Sequence, residues 1–139
     1  MDTIEFKIVT ITLPNGRKDM AVQYLINNTN LFVHIGYGVE SQCGLPPDIV
    51  FLPSKHLLGS PDVNYYDADL DKIILSLDCH TLLEGGDSII AKIDCNKNLI
   101  VWKDFQMAKP EYNEWISKNI NNPVFQFNRL QYEKALERL

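Results

Sequence analysis

The chain has three cysteines in 139 residues, Cys43, Cys79 and Cys95, with no two of them close together. An odd, irregularly spaced set does not build a disulfide framework. No CxxC, HxxxH or HExxH occurs, whereas structural zinc needs four soft or borderline ligands, usually presented as close pairs. Cys79 and His80 are neighbours, so a strand would aim them at opposite faces. The expectation is no metal and no cofactor. Basic charge is scarce as well: 13 Lys and Arg stand against 18 Asp and Glu, a formal net charge of -5. That balance argues against a nucleic-acid partner, whose binders carry a basic face to neutralise phosphates. Long apolar runs are missing too. No segment reaches bilayer length, and MDTIEFKIVTITL places Asp2, Glu5 and Lys7 where a secretory signal has a basic start and an unbroken apolar stretch. The expected compartment is the cytosol, with no membrane partner.

What is present is a soluble composition, 45% hydrophobic and 22% charged, at the length of one ordinary domain. Residues 4–13 are rich in Ile, Val, Thr and Phe, which suit a pleated surface. Pro14-Asn15-Gly16 supplies turn chemistry, and Met20, Val22, Tyr24 and Ile26 follow at period two, so 4–26 is predicted to be a β-hairpin. Asn27 to Asn30 is a turn or a helix N-cap. Leu31 to Ile35 fits a short helix or a strand, with helix preferred. Pro46, Pro47, Pro53 and Pro61, with Gly44 and Gly59, make 41–62 a long irregular connection, with room for one helical turn over 54–58. Such a loop either covers one end of the core or makes outward contacts.

Residues 72–79 and 88–94 have the character of buried strands, and the second pairs with 99–105 through the turn 95–98. Pro110 to Lys118, with Tyr112 and Trp115, is expected to hold one or two helical turns. Val124, Phe125 and Phe127 suggest an edge strand. Asn128, with Gln131 three residues on, forms a capping box for a closing helix. There is no repeat and no composition break. The prediction is a single α+β domain over 1–139: an antiparallel sheet built from hairpins, a Pro-rich connecting loop and a C-terminal helix.

Three stretches, "GLPPDIVFLPSKHLLGSP" (44–61), "AKIDCNKNLIVWKDFQ" (91–106) and "NPVFQFNRLQYEKALERL" (122–139), occur in an order that resembles a family of small uncharacterised bacterial proteins. That family has a Leu-Pro-x-x-His-Leu-Leu-Gly loop, a Val-x-Trp-x-x-Phe strand and a closing Phe-x-Phe-(Asp/Asn)-Arg-x-Gln-Tyr-Glu-x-Ala-Leu helix. The resemblance implies a shared fold and brings no established activity. Many members carry a turn of the form Cys-x-Cys followed by Gly-Cys. Here Cys79 fits its first position, while Thr81 and Gly86 stand where further cysteines would be.

The segment "LDCHTLLEGGDSIIAKIDC" (77–95) gathers two cysteines, a histidine and Gly85-Gly86-Asp87. A phosphate cradle needs a glycine turn running from a strand into a helix; here the glycines precede a strand, so the segment is a strand end, a turn and a second strand. Cys43, Lys55 and His56 could line a pocket in loop 41–62, the setting for an enzyme or a small-molecule binder. A loop histidine more often bonds a backbone carbonyl than acts as a base. Asp62, Asp67, Asp69 and Asp71 alternate like half of a calcium loop without its central Gly and closing Glu. With Tyr65 and Tyr66 beside them, the acids suit the docking of a basic protein surface. The expected function is therefore protein binding, with one protein partner. That partner could be a basic toxin domain neutralised by an immunity protein; a pocket protein or a structural subunit of a larger complex are the alternatives.

Overall fold

The structure, a computed structural model, describes residues 1–13, 15–36, 44–50, 56–59, 65–68, 70–77, 88–111, 114–118 and 120–137. Its first sheet is three-stranded, in the order β1 (Ile4–Thr12), β2 (Lys18–Ile26), β3 (Thr29–Asn30), all antiparallel. The predicted hairpin is the β1–β2 pair, in continuous register from Ile4 opposite Ile26 to Thr12 opposite Lys18. Asn27 and Asn28 both take positive φ, 52° and 64°, the backbone of a two-residue turn whose twist matches its strands. That turn leads into β3. Asn30 then caps α1 (Leu31–His34), its side chain accepting from the Phe32 amide at 2.9 Å. Residues 27–30 are thus both a turn and a cap, and the segment after them is the preferred helix.

A second sheet of six strands holds β4 (Tyr66–Asp67), β5 (Lys72–Leu77), β6 (Ser88–Cys95), β7 (Leu99–Glu111) and β8 (Glu114–Lys118) in that order. The sixth strand, β9 (Phe125–Asn128), pairs with β7. All neighbours are antiparallel. Both expected strands are present, residues 72–77 as β5 and 88–94 within β6, and the expected pairing of 88–94 with 99–105 is the β6–β7 pair; residues 78–87 lie outside the described residues. One expectation fails. Residues 110–111 end β7 and 114–118 form its antiparallel partner β8, where helical turns were expected: Pro110 lies opposite Trp115, and Glu111 opposite Glu114; Tyr112 lies outside the described residues. β7 therefore runs well past residue 105. A bulge, with Asp104 at φ 54°, separates the part flanked by β9 from the part flanked by β8.

The chain closes with α3 (Arg129–Glu137). Asn128 Oδ1 accepts from the Gln131 amide at 3.1 Å, which is one half of the predicted capping box. The other half is diverted, because the Gln131 side chain bonds the backbone of Ile4 instead. Within loop 41–62, α2 (Pro47–Val50) and a 3-10 turn, His56–Leu58, are described. Leu45, Val50 and Leu57 from this region are buried in the core, so the Pro-rich connection covers part of it. Gly44 sits at φ 74°, where a Cβ would lie 1.8 Å from the Val22 carbonyl oxygen. No other residue fits that approach.

The two sheets meet through aromatic rings. Tyr24 on β2 packs edge-on to Trp102 on β7, centroids 5.5 Å apart, and Phe6, Phe127 and Tyr132 complete the cluster. Edge-to-face pairs of this kind add to the burial term. Every polar atom in the cluster is satisfied. Tyr24 donates to the Leu75 carbonyl at 2.6 Å; Trp102 Nε1 donates to the Tyr132 hydroxyl at 3.1 Å, and that hydroxyl donates to the Leu57 carbonyl at 2.7 Å.

Candidate functional site

β4 is the end strand of the larger sheet and is only two residues long, pairing Tyr66 with Ile73 and Asp67 with Lys72. The turn that follows is built by its own acids. Asp67 is buried, and its carboxylate accepts from the Leu70 amide at 3.0 Å, an Asx-type arrangement that closes a turn locally. Asp71 takes φ 52°, a conformation that Asp tolerates better than most residues. The Tyr66 hydroxyl donates to the exposed Asp71 carboxylate. This bond, followed by burial and the charges of Asp71 and Asp67, pushes the Tyr66 phenol above its ordinary value. Leu70 is partly exposed beside them.

An open groove of about 310 Å³ adjoins this turn, lined by Gly59, Tyr66, Asp71, Ile73, Lys92, Ile93 and Asp94. Asp94 pairs with Lys103 across β6 and β7 at 3.0 Å. Lys92 and Asp94 were not among the residues expected from the sequence. Their signal was the alternation of β6, which exposes Lys92 and Asp94 on either side of buried Ile93. Of the expected acidic-aromatic set, Tyr65, Tyr66, Asp67 and Asp71 come together here, while Asp62 and Asp69 lie outside the described residues.

The expected loop pocket is represented by His56 alone, since Cys43 and Lys55 lie outside the described residues. His56 is fully buried; its Nε2 is 3.0 Å from the Ile74 carbonyl, and its ring meets Tyr65 edge-on. It ties the 3-10 turn to β5. His34 behaves alike, with Nε2 2.8 Å from the Ile26 carbonyl and its ring on Phe125. Cys95 is half-buried under Gly59. Burial pushes its thiol up, with Arg129 opposing and Asp94 and Glu133 adding to the rise, which disfavours the thiolate that a nucleophile requires. Among the described residues no group of His, Cys, Asp and Glu could hold a metal ion, and no helix is long and apolar enough to cross a membrane. Compared with known protein families, with curated proteins and with solved structures, the chain matches none.

Proposed function

We propose that this protein is a binding domain that docks a basic surface of one protein partner through the 66–71 turn, as an immunity protein covers a toxin domain in the bacterial cytosol. The observation that carries the reading is the Tyr66–Asp71 clasp. An aromatic ring on a two-residue edge strand and a carboxylate on the turn that follows it are held together, with Asp94 across the adjoining groove. Ordering these groups before contact removes part of the entropy cost of binding. The acidic excess of the chain steers a basic partner toward it. The family resemblance of loop 44–61, strand 91–106 and segment 122–139 belongs to the same proposal and adds no activity of its own. An enzymatic reading finds less support, because His34 and His56 are both engaged with backbone carbonyls.

The test is binding kinetics against the partner recovered from the native organism. Asp71→Asn slows association, and the loss shrinks as salt rises; Tyr66→Ala speeds dissociation. Unchanged kinetics in both variants would remove the turn from the interface.

A further inference from the structure

Three lysines of the larger sheet fall in a row. Lys92 on β6 lies opposite Lys103 on β7, and residues paired in this way share a face. Ile73 on β5 lies opposite Ala91, so Lys72, one step further along, stands beside Lys92. The Lys72 ammonium donates to Gln106 Oε1 at 2.9 Å. Gln106 lies opposite Ile90, two residues from Lys92 and therefore on its face. Like charges set opposite one another repel, and the fold relieves this row only at its ends. Lys72 has the Gln106 amide oxygen, and Lys103 has the Asp94 carboxylate at 3.0 Å. The middle lysine is left over. Lys92 is exposed, and its ammonium makes no hydrogen bond or ion pair among the described residues. It lines the groove beside the 66–71 turn together with Tyr66, Asp71 and Asp94. It pairs with neither acid: Asp94 is drawn to Lys103, and Asp71 accepts from the Tyr66 hydroxyl.

We propose that Lys92 receives a carboxylate of the protein partner, so that the docked surface is a mixed pair. An Arg or Lys lies against Tyr66 and Asp71, and an Asp or Glu beside it lies on Lys92. This rests on the docking reading of the 66–71 turn and gives that reading its specificity. The basic side chain gains the Asp71 charge and the Tyr66 ring. A second base in place of the acid would meet Lys92 with Lys72 and Lys103 on either side of it, so a uniformly basic surface is rejected. An acid at that place relieves the repulsion within the row instead. Two opposite charges at fixed places also orient the partner, which net charge alone does not.

The probes are short blocked peptides in which Arg is followed, after a glycine spacer, by Glu, Gln or Arg. Each is titrated into the isotope-labelled full chain and followed by NMR at the amides of Asp71, Lys92 and Asp94. The Arg–Glu peptide binds about three- to fivefold more tightly than Arg–Gln, the range of an exposed ion pair. Lys92→Gln abolishes that difference, and Lys92→Glu reverses it in favour of Arg–Arg. Lys92 is exposed, so both variants keep the fold. No binding by any peptide, no Arg–Glu preference in the wild type, or a preference that survives Lys92→Gln would overturn the assignment. In that event, weaker binding of Arg–Gln to Asp71→Asn would still leave the docking reading standing. Failure of the docking reading has a different signature: the preference depends on Lys92 while Asp71→Asn changes nothing, which reduces Lys92 to a bare anion contact and removes the mixed pair.

Discussion

Tyr132 and Tyr66 carry the same phenol, and the fold uses it in opposite ways. In the centre, Tyr132 has no exposure, and its hydroxyl stands between Trp102 Nε1 and the Leu57 carbonyl. That hydroxyl joins α3 to β7 and to the 3-10 turn. At the acidic edge, Tyr66 bonds a carboxylate that faces water, so its hydroxyl orders a surface and joins no distant elements. The difference teaches where the energy of the fold resides: a buried polar group must be satisfied or the fold loses stability, whereas an exposed one can change partners at little cost.

Substitutions should separate the two regions by size of effect. Phe127 is fully buried against Trp102 and Tyr132, so Phe127→Ala is expected to lower unfolding free energy by about 3–5 kcal/mol. Tyr66 is only partly buried against the edge of the core, so Tyr66→Ala should cost less, about 1 kcal/mol. Urea unfolding of both variants measures the contrast, and equal losses would dissolve it. Tyr132→Phe comes next. It keeps the ring but leaves Trp102 Nε1 without an acceptor and Leu57 without a donor, for a loss of about 2–3 kcal/mol. Tyr24→Phe strands only the Leu75 carbonyl and should cost about half as much.

The central region was also the more legible in the sequence. The Ile, Val, Thr and Phe content of 4–13, the period-two alternation of 20–26, the turn or cap at 27–30 and the Asn128 cap are local signals, and each corresponds to an observed element. The preference for His56 as a carbonyl-bonded loop residue also corresponds to its contact with Ile74. Non-local choices were not legible. Tyr112 and Trp115, spaced like one helical turn, concealed the antiparallel pairing of β7 with β8. Gln131 satisfied the capping pattern, yet its side chain went to a strand 127 residues away. The groove wall of Lys92 and Asp94 needed the β5–β6 register, which no short window contains.

A smaller effect sharpens the rule about buried polar groups from the opposite direction. Ser88 is 1% exposed, and its hydroxyl has no hydrogen-bond partner among the described residues. Ser88→Ala removes an unsatisfied group and leaves no cavity of consequence, so stability should rise by about 1 kcal/mol. A loss on the same urea assay would mean that the hydroxyl has a partner in solution.

The smallest effect concerns protons and distinguishes the two kinds of tyrosine directly. Burial raises the phenols of Tyr24 and Tyr132 well above the ordinary value near 10. An acid whose folded value exceeds its unfolded one contributes stability that is complete below the unfolded value and is lost as pH rises beyond it. Tyr24 and Tyr132 should therefore ionise only as the chain unfolds, in one cooperative step on the alkaline side. Tyr66 is also raised, chiefly by its bond to Asp71, but it is accessible and should titrate reversibly in the folded state before that step. Phenolate absorbance of the wild type minus that of Tyr66→Phe isolates its curve. Asp71→Asn removes the charge that opposes ionisation and should move the curve down toward the ordinary value, while the cooperative step stays where it was. A Tyr66 curve that does not move would mean that the clasp is not formed in solution, and the edge would lose the preordering on which the proposed binding role rests.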